Sequence, residues 1–270
     1  MNYLFISLAV LLGLAAPALV IVYAVRRNGR RLKKALAVLA ALAVEVGCVF
    51  VVYINIYYKA DDAARKAIES AESVKVAETD SGYFFDGPGT RDAIVFYPGG
   101  KVECEAYAPL MSEIAGLGID CYLLDMPFRL AIFNISAADK ILSDESLGYR
   151  NIFLAGHSLG GVCAGLYAAK NADKVNGIIF LASYPTEKLP EALPCLSIYG
   201  SNDRVLNMKA YEASSENFPS GTKTCVIAGG NHAQFGSYGA QKGDGEPAVS
   251  PEQQWQQTAA EIAAFVTEAT

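Results

Sequence analysis

Histidine, tryptophan and paired cysteines are scarce in this sequence, and these shortages limit the kinds of functional site that it can form. There are two histidines and one tryptophan. The six cysteines form no CxxC pair and no spacing typical of a zinc site. The sequence as a whole implies neither a metal nor an organic cofactor. Five cysteines follow residue 58, an odd number that excludes a complete disulfide framework there. One bond between Cys195 and Cys225 remains open as an alternative.

Basic runs are also scarce, because residues 26–34 hold the only one. After residue 58 the chain carries 16 basic and 27 acidic residues, a formal charge of −11. A domain with this charge repels a phosphate backbone, so nucleic acid is excluded as a partner. The sequence also has no internal repeats, which excludes repeat architectures.

Long apolar runs, in contrast, fill the N-terminal part of the chain. Residues 3–25 contain no charged side chain, and residues 35–58 contain one, Glu45. Each run exceeds the roughly 20 residues that cross a hydrocarbon core. Residues 1–58 are therefore predicted to form a transmembrane helical hairpin with a basic loop at 26–34. A cleaved signal peptide is the alternative for the first run. It is disfavoured by the residues MNYLF, which include no basic residue, and by the length of the run.

The basic loop also predicts the orientation of the hairpin. The positive-inside rule places residues 26–34 in the cytoplasm and both chain ends on the opposite side. This predicts a multi-pass protein of the cell membrane with an extracytoplasmic domain and the lipid bilayer as a partner. Glu45 lies mid-span, where a charge costs about 3 kcal/mol. We interpret it as a helix-pairing contact, with a proton relay as the alternative; the sequence names no protein partner.

Beyond the hairpin, residues 59–80 are predicted to form a stalk, helical over 60–76, and residues 81–270 a single α/β domain. The predicted strands are continuous apolar runs, at 93–97, 120–124, 151–155, 177–181, 195–199 and 224–228. Segments with helical periodicity alternate with them, at 105–116, 135–143, 159–170, 205–215 and 252–267. This alternation predicts a mostly parallel sheet with helices on both faces.

The strongest functional signal is a motif between a predicted strand and a predicted helix. Residues 151–161 read NIFLAGHSLGG, which contains the pattern G-x-S-x-G. Gly156 and Gly160 let the strand and the helix approach each other closely. Ser158 is thereby held exposed at the N-terminus of a helix, where the dipole favours negative charge. Ser158 is therefore the predicted nucleophile.

A serine hydroxyl needs a base, and this chain has two histidines to offer. His157 lies inside the turn, where its side chain is expected to point away from Ser158. That leaves His232, which follows the last predicted strand. Asp203 follows the preceding strand and completes the chain order Ser…Asp…His, so it is predicted to orient the imidazole. An N-cap of helix 205–215 is the alternative role for Asp203.

The tetrahedral intermediate of acyl transfer needs two N–H donors for its oxyanion. One is predicted to be the backbone N–H of Leu159. The other is predicted in the loop YPGGKV that follows strand 93–97. It belongs to Gly100 or Lys101, and the sequence does not choose between them.

With these residues placed, the chain resembles the α/β-hydrolase superfamily, and more narrowly the small bacterial membrane-anchored family labelled α/β-hydrolase fold-5. The likeness is carried by FYPGGKVECEAYAPL, LLDMPFRLAIFN, AGHSLGGVCAGLYA, LASYPT, LSIYGSNDRVLN and GGNHAQFGSYGAQKGDG. It implies the α/β-hydrolase fold and Ser158, Asp203 and His232 as the triad, without a defined substrate. Compared with larger relatives, the first antiparallel strands are expected to be shortened or missing, and no large cap fits.

The predicted function is hydrolysis of carboxylic esters on a small acyl substrate, through an acyl-enzyme intermediate. The apolar segment 127–139 is interpreted as core, with an acyl pocket or small lid as the alternative. Three further hypotheses are open. One is hydrolysis of an amide, lactone, thioester or C–C bond. Another is a catalytically silent, membrane-anchored binding protein, and the last is a functional hairpin that carries a passive domain.

Overall fold

A computed structural model describes residues 13, 15, 17–23, 31–69, 73–89 and 91–270. The chain divides into two compact units, Met1–Tyr57 and Tyr58–Thr270. In the first unit, helix α1 runs over Arg31–Asn55 and contains Glu45. Among the described helices, one is long and apolar enough to cross a membrane, over Lys33–Asn55, with a mean hydropathy of 2.6. Most of the predicted span 3–25 lies outside the described residues, so a second transmembrane helix stays a prediction.

The second unit is built on one eight-stranded sheet in the order β1-β2-β4-β3-β5-β6-β7-β8. The strands are β1 (Lys75–Thr79), β2 (Gly82–Asp86), β3 (Asp92–Tyr97), β4 (Asp120–Leu124), β5 (Asn151–His157), β6 (Gly177–Leu181), β7 (Cys195–Gly200) and β8 (Lys223–Ile227). From β4 to β8 every neighbouring pair is parallel. All six predicted strands are confirmed to within two residues. Five of them, β3 to β7, are buried, and parallel strands covered on both faces need continuous apolar runs. The sixth, β8, is a mostly exposed edge strand.

Helices cover both faces of this sheet. They are α2 (Asp62–Ala67), α3 (Ala108–Gly116), α4 (Asp139–Leu142), α5 (Leu159–Ala168), α6 (Met208–Ala213) and α7 (Pro251–Ala269). Alternate residues of β3 join different hydrophobic clusters: Phe96 packs with α3 and α7, and Val95 packs with α5. This period of two is what a strand buried on both faces requires.

The N-terminal edge of the sheet differs from the expectation. The first antiparallel strands are present: β1 pairs with β2, which pairs in turn with β4. Phe85 of β2 is fully buried, whereas most residues of β1 are exposed. An exposed edge strand needs no apolar run, and for this reason the pattern of the sequence missed the hairpin.

The predicted stalk is also part of the domain. The helix predicted over 60–76 is confined to α2, where Ala64 is fully buried. Before it, the Tyr58 N–H donates to the Lys101 carbonyl at 2.8 Å, and the Asp61 N–H donates to the Ser237 carbonyl at 3.0 Å. The compact unit therefore begins at Tyr58 rather than at residue 81.

Two remaining expectations concern the cap and the cysteines. Residues 182–194, between β6 and β7, form no helix, so no large cap stands there. All six cysteines are free. The sheet register pairs Cys225 with Ile198, three residues along from Cys195. That offset is about 10 Å, which exceeds the roughly 7 Å that a disulfide allows between Cα atoms.

Candidate active site

Ser158 occupies a sharp turn between β5 and α5. Its backbone angles are φ 52° and ψ −122°, a strained conformation for a residue with a side chain. Two hydrogen bonds from the neighbouring strand end hold the turn. The Ser158 N–H donates to the Leu181 carbonyl at 3.0 Å, and the Ser183 hydroxyl donates to the Ser158 carbonyl at 2.7 Å. The Ser158 side chain is left partly exposed at the carboxyl edge of the sheet.

The two glycines of the motif allow the close packing that this turn needs. A Cβ atom on Gly160 would overlap the carbonyl oxygens of Tyr97 and Pro98. A Cβ atom on Gly156 would lie 2.6 Å from the carbonyl carbon of Gly160. Backbone atoms on both sides leave no room for a methyl group, so the strand, the helix and the loop after β3 pack directly against one another.

We expect Gly160→Ala to destabilise the protein by about 1–3 kcal/mol, because the added methyl forces the backbone apart. The matched control is Gly221→Ala, where a Cβ atom meets nothing within 4 Å. Urea unfolding of the full chain in detergent measures both variants. Equal midpoints for the two would show that the turn tolerates a side chain after all.

Asp203 and His232 form a buried pair after β7 and β8. Asp203 Oδ2 lies 2.8 Å from His232 Nδ1, and the two side chains are 0% and 2% exposed. Asp203 Oδ1 accepts the N–H groups of Val205 and Leu206, each at 2.8 Å. These bonds fix the orientation of the carboxylate. The helix predicted over 205–215 is the shorter α6, and its N-cap is Asn207, not Asp203.

All three predicted triad residues therefore follow the carboxyl ends of parallel strands. His232 packs against His157, the residue before Ser158, with ring centroids 4.5 Å apart. The structure thus joins Asp203 to His232 and places that pair beside the turn. Among the described residues, no hydrogen bond links the Ser158 hydroxyl to the imidazole. Such contacts are often long in enzymes without substrate.

The loop after β3 contains the residues predicted to complete the oxyanion hole. A Cβ atom on Gly100 would lie 2.8 Å from Leu159 Cδ2, so the two predicted donors are adjacent. The Lys101 N–H donates to the Arg129 carbonyl at 2.8 Å, and the Gly99 N–H donates to the Tyr107 hydroxyl at 3.0 Å. Of these three successive N–H groups, that of Gly100 alone has no acceptor among the described residues.

Sequence reasoning missed Asp244, which supports the His232 loop. Asp244 Oδ2 accepts the N–H of Ala233 at 2.8 Å, and its Oδ1 accepts the N–H of Arg204 at 3.2 Å. One carboxylate thus joins the loops that carry Asp203 and His232. Asp244 falls in the block GGNHAQFGSYGAQKGDG, which was the available signal. No group of three metal-ligating side chains occurs in the described part of the chain.

The apolar segment 127–139 lies beside the loop that follows β3 and contains Gly100. It consists of three short 3₁₀ turns, Pro127–Arg129, Ala131–Phe133 and Ile135–Ala138, followed by the first residue of α4. Leu130 is buried, and its Cδ2 would lie 3.6 Å from a Cβ atom on Gly100. Ile132 is 48% exposed. The segment is therefore only partly core.

Comparison with known proteins identifies the family. Residues 93–256 match the model of the Alpha/beta hydrolase family. Because this match spans more than half of the chain, the protein belongs to that family. No curated protein matches the sequence.

Solved structures share the fold. Est1E from Butyrivibrio proteoclasticus is 16% identical with a TM-score of 0.51, covering 73% of this chain and 99% of that chain. A soluble variant of monoglyceride lipase from Saccharomyces cerevisiae is 11% identical, with a TM-score of 0.54 and coverage of 75% and 97%. A bacterial membrane phospholipase A is 12% identical, with a TM-score of 0.54 and coverage of 88% and 98%. At such identities the likeness establishes the fold.

Proposed function

We propose that the protein is a serine hydrolase that cleaves carboxylic esters, with Ser158 as nucleophile, His232 as base and Asp203 as the residue that orients the base. The observation that carries this proposal is the buried 2.8 Å contact between Asp203 and His232 beside the strained turn at Ser158. A buried carboxylate paired with an imidazole next to an exposed serine is the arrangement that nucleophilic acyl transfer requires.

The proposed chemistry follows from the ring nitrogen of His232 that Asp203 contacts, which is Nδ1. His232 donates its Nδ1 proton to Asp203, so Nε2 carries the lone pair that accepts the Ser158 proton. Ser158 Oγ then bonds to the ester carbonyl carbon, and the imidazolium returns the proton to the departing alcohol. Water repeats the sequence on the acyl-enzyme: it loses a proton to Nε2, releases the carboxylic acid and restores the serine.

For the oxyanion hole we propose the N–H groups of Leu159 and Gly100. Leu159 begins α5, so its N–H is one of the helix donors that have no intrahelical partner. Of the two residues that the sequence left open, Gly100 is favoured because the Lys101 N–H already donates to Arg129. Donors fixed before the reaction stabilise the developing charge without reorganisation.

We propose acyl esters of amphiphilic molecules as the substrate class. Leu130 lies next to Gly100, and the turns on either side of it, Pro127–Arg129 and Ala131–Phe133, expose apolar side chains that offer a surface for an acyl chain. The apolar helix over Lys33–Asn55 supports anchoring in a bilayer. Among structures with this fold, two are named as a monoglyceride lipase and a membrane phospholipase A. The basic loop 26–34 supports a multi-pass anchor with an extracytoplasmic domain.

The test uses the full chain in detergent with a fluorophosphonate probe and p-nitrophenyl esters of increasing acyl length. We expect peptide mass spectrometry to locate the probe on Ser158, and we expect the esters to be hydrolysed. Cleavage of amide, lactone or thioester panels without ester cleavage would keep the nucleophile and change the substrate class. If the protein is neither labelled nor able to cleave any of these substrates, the hypothesis of a catalytically silent binding domain is supported instead.

A further inference from the structure

We propose that the Tyr107 hydroxyl is a positioning group for the oxyanion loop, because it ties Gly99 to His157, the residue before the nucleophile. This inference deepens the proposed esterase function and rests on it. The network links three separate parts of the fold: the loop after β3, the 3₁₀ turn Cys104–Tyr107 that precedes α3, and the end of β5.

The hydrogen bonds that join Gly99, Tyr107 and His157 are buried in the domain. Tyr107 and His157 are 0% and 1% exposed. The Gly99 N–H donates to the Tyr107 hydroxyl oxygen at 3.0 Å, and that oxygen lies 2.8 Å from His157 Nδ1. Hydrogen bonds between fully buried groups are costly to lose, because the partner left behind finds no water.

The direction of the second bond follows from counting partners. If the hydroxyl donates to His157 Nδ1, its proton and its oxygen are both used, and only the Nε2 proton of His157 is unpaired. If His157 Nδ1 donated instead, both the Tyr107 proton and the Nε2 lone pair would be unpaired among the described residues. The first arrangement leaves fewer buried groups unsatisfied, so Tyr107 is the donor.

The tie acts on the group that we place in the oxyanion hole. The Gly100 N–H is part of the peptide group that joins Gly99 to Gly100. Any movement of Gly99 therefore changes the direction in which this N–H points. Gly99 packs tightly on the pair: a Cβ atom there would lie 2.5 Å from the Tyr107 hydroxyl oxygen and 2.8 Å from His157 Nδ1. Tyr107 and His157 therefore restrain Gly99 on one side of the loop, and the next residue, Gly100, lies against Leu159.

The other end of the network touches the base. The His157 ring lies 4.5 Å from the His232 ring and 5.5 Å from the Phe235 ring, centroid to centroid. Burial, together with the neighbouring His232, holds the pKa of His157 well below its ordinary value. A neutral His157 accepts a hydrogen bond from the Tyr107 hydroxyl at neutral pH, and it adds no second positive charge when His232 becomes protonated.

The test compares Tyr107→Phe with Tyr97→Phe in the full chain in detergent. Tyr97 is equally buried, and its hydroxyl likewise accepts one backbone N–H (Ala138, 3.1 Å) and donates to one carbonyl (Ile135, 2.8 Å). We expect both variants to melt at lower temperatures. We expect Tyr107→Phe alone to lower kcat for p-nitrophenyl butyrate about 10- to 100-fold, with KM nearly unchanged.

Two further measurements separate positioning from general damage. The Ki of a trifluoromethyl ketone, which forms a tetrahedral adduct, is expected to rise in parallel with the loss of kcat. Hydrogen exchange of the peptide 96–104 is expected to quicken in Tyr107→Phe and not in Tyr97→Phe. Similar kcat losses in both variants, or unchanged exchange in 96–104, would overturn the proposal.

A second pair of variants protects the test if Tyr107→Phe fails to fold. Asn places its side-chain oxygen near the position of His Nδ1 and retains an acceptor for the Tyr107 proton, whereas Leu removes it. We expect His157→Asn to keep at least 10-fold more activity than His157→Leu. Equal activity would overturn the tie. If the parent protein cleaves no acyl substrate, the esterase proposal fails, and the exchange result alone decides the role of Tyr107.

Discussion

Replacing Ser158 by alanine is expected to lower kcat for p-nitrophenyl esters by about 10⁴-fold or more. The change removes the only atom that bonds to the acyl group, while the Leu159 and Gly100 N–H groups and Asp203 with His232 stay in place. A loss of 10⁴ corresponds to about 5.5 kcal/mol of transition-state stabilisation. Because Ser158 is partly exposed and alanine has the same Cβ atom, the protein is expected to fold as before.

The matched control is Ser197→Ala. Ser197 is a buried serine of β7 whose hydroxyl pairs with Tyr211 at 2.8 Å, outside the proposed site. The Ser197→Ala protein is expected to lose some stability and to keep its activity. Steady-state rates and fluorophosphonate labelling measure both proteins. A Ser158→Ala protein that hydrolyses the panel at the parent rate would refute the proposed mechanism.

Replacing Asp203 by asparagine is expected to lower kcat about 10⁴-fold, although the geometry is nearly preserved. Asp203 Oδ1 accepts two backbone N–H groups, so an asparagine must place its carbonyl oxygen there and turn its NH₂ towards His232. His232 Nδ1 then has to accept, and the ring proton moves to Nε2. A protonated Nε2 takes no proton from Ser158.

This prediction separates orientation of the base from general stability. The control is Asp139→Asn, which alters a carboxylate of α4 that accepts hydrogen bonds from Tyr167 and Lys174 and belongs to neither the proposed triad nor the oxyanion hole. We expect Asp203→Asn to fold and to react slowly with fluorophosphonate, and Asp139→Asn to react at the parent rate. Parent-like kinetics in Asp203→Asn would assign the carboxylate to loop structure alone.

Local patterns predicted the centre of the fold well. Strands β3 to β7 are apolar because both of their faces are covered, so each is recognisable without knowledge of its neighbours. Strand β8 is an edge strand that is mostly exposed, and its short run TCVI was still enough to predict it. The turn at Ser158 is encoded within the few residues around Gly156 and Gly160, which have to be small. The order of Asp203 and His232 after their strands then follows from the chain alone.

Positions whose structure depends on distant partners were not predictable in the same way. Strand β1 is mostly exposed and owes its existence to pairing with β2. Tyr58 follows an apolar run, and nothing local shows that its backbone pairs with Lys101 and Glu103. The sequence therefore underestimated the N-terminal part of the domain and predicted a stalk where the structure has a docked segment.

By itself, the sequence determined the parallel sheet, the turn at Ser158 and the candidate residues at its edge, because periodicity and glycine placement express covalent and local constraints. Only the tertiary structure decided that Asp203 meets His232 at 2.8 Å, that the Lys101 N–H is occupied, and that Tyr107 joins Gly99 to His157. These contacts span up to 50 residues of chain. Packing of the whole domain selects them, and no short stretch of sequence encodes such a choice.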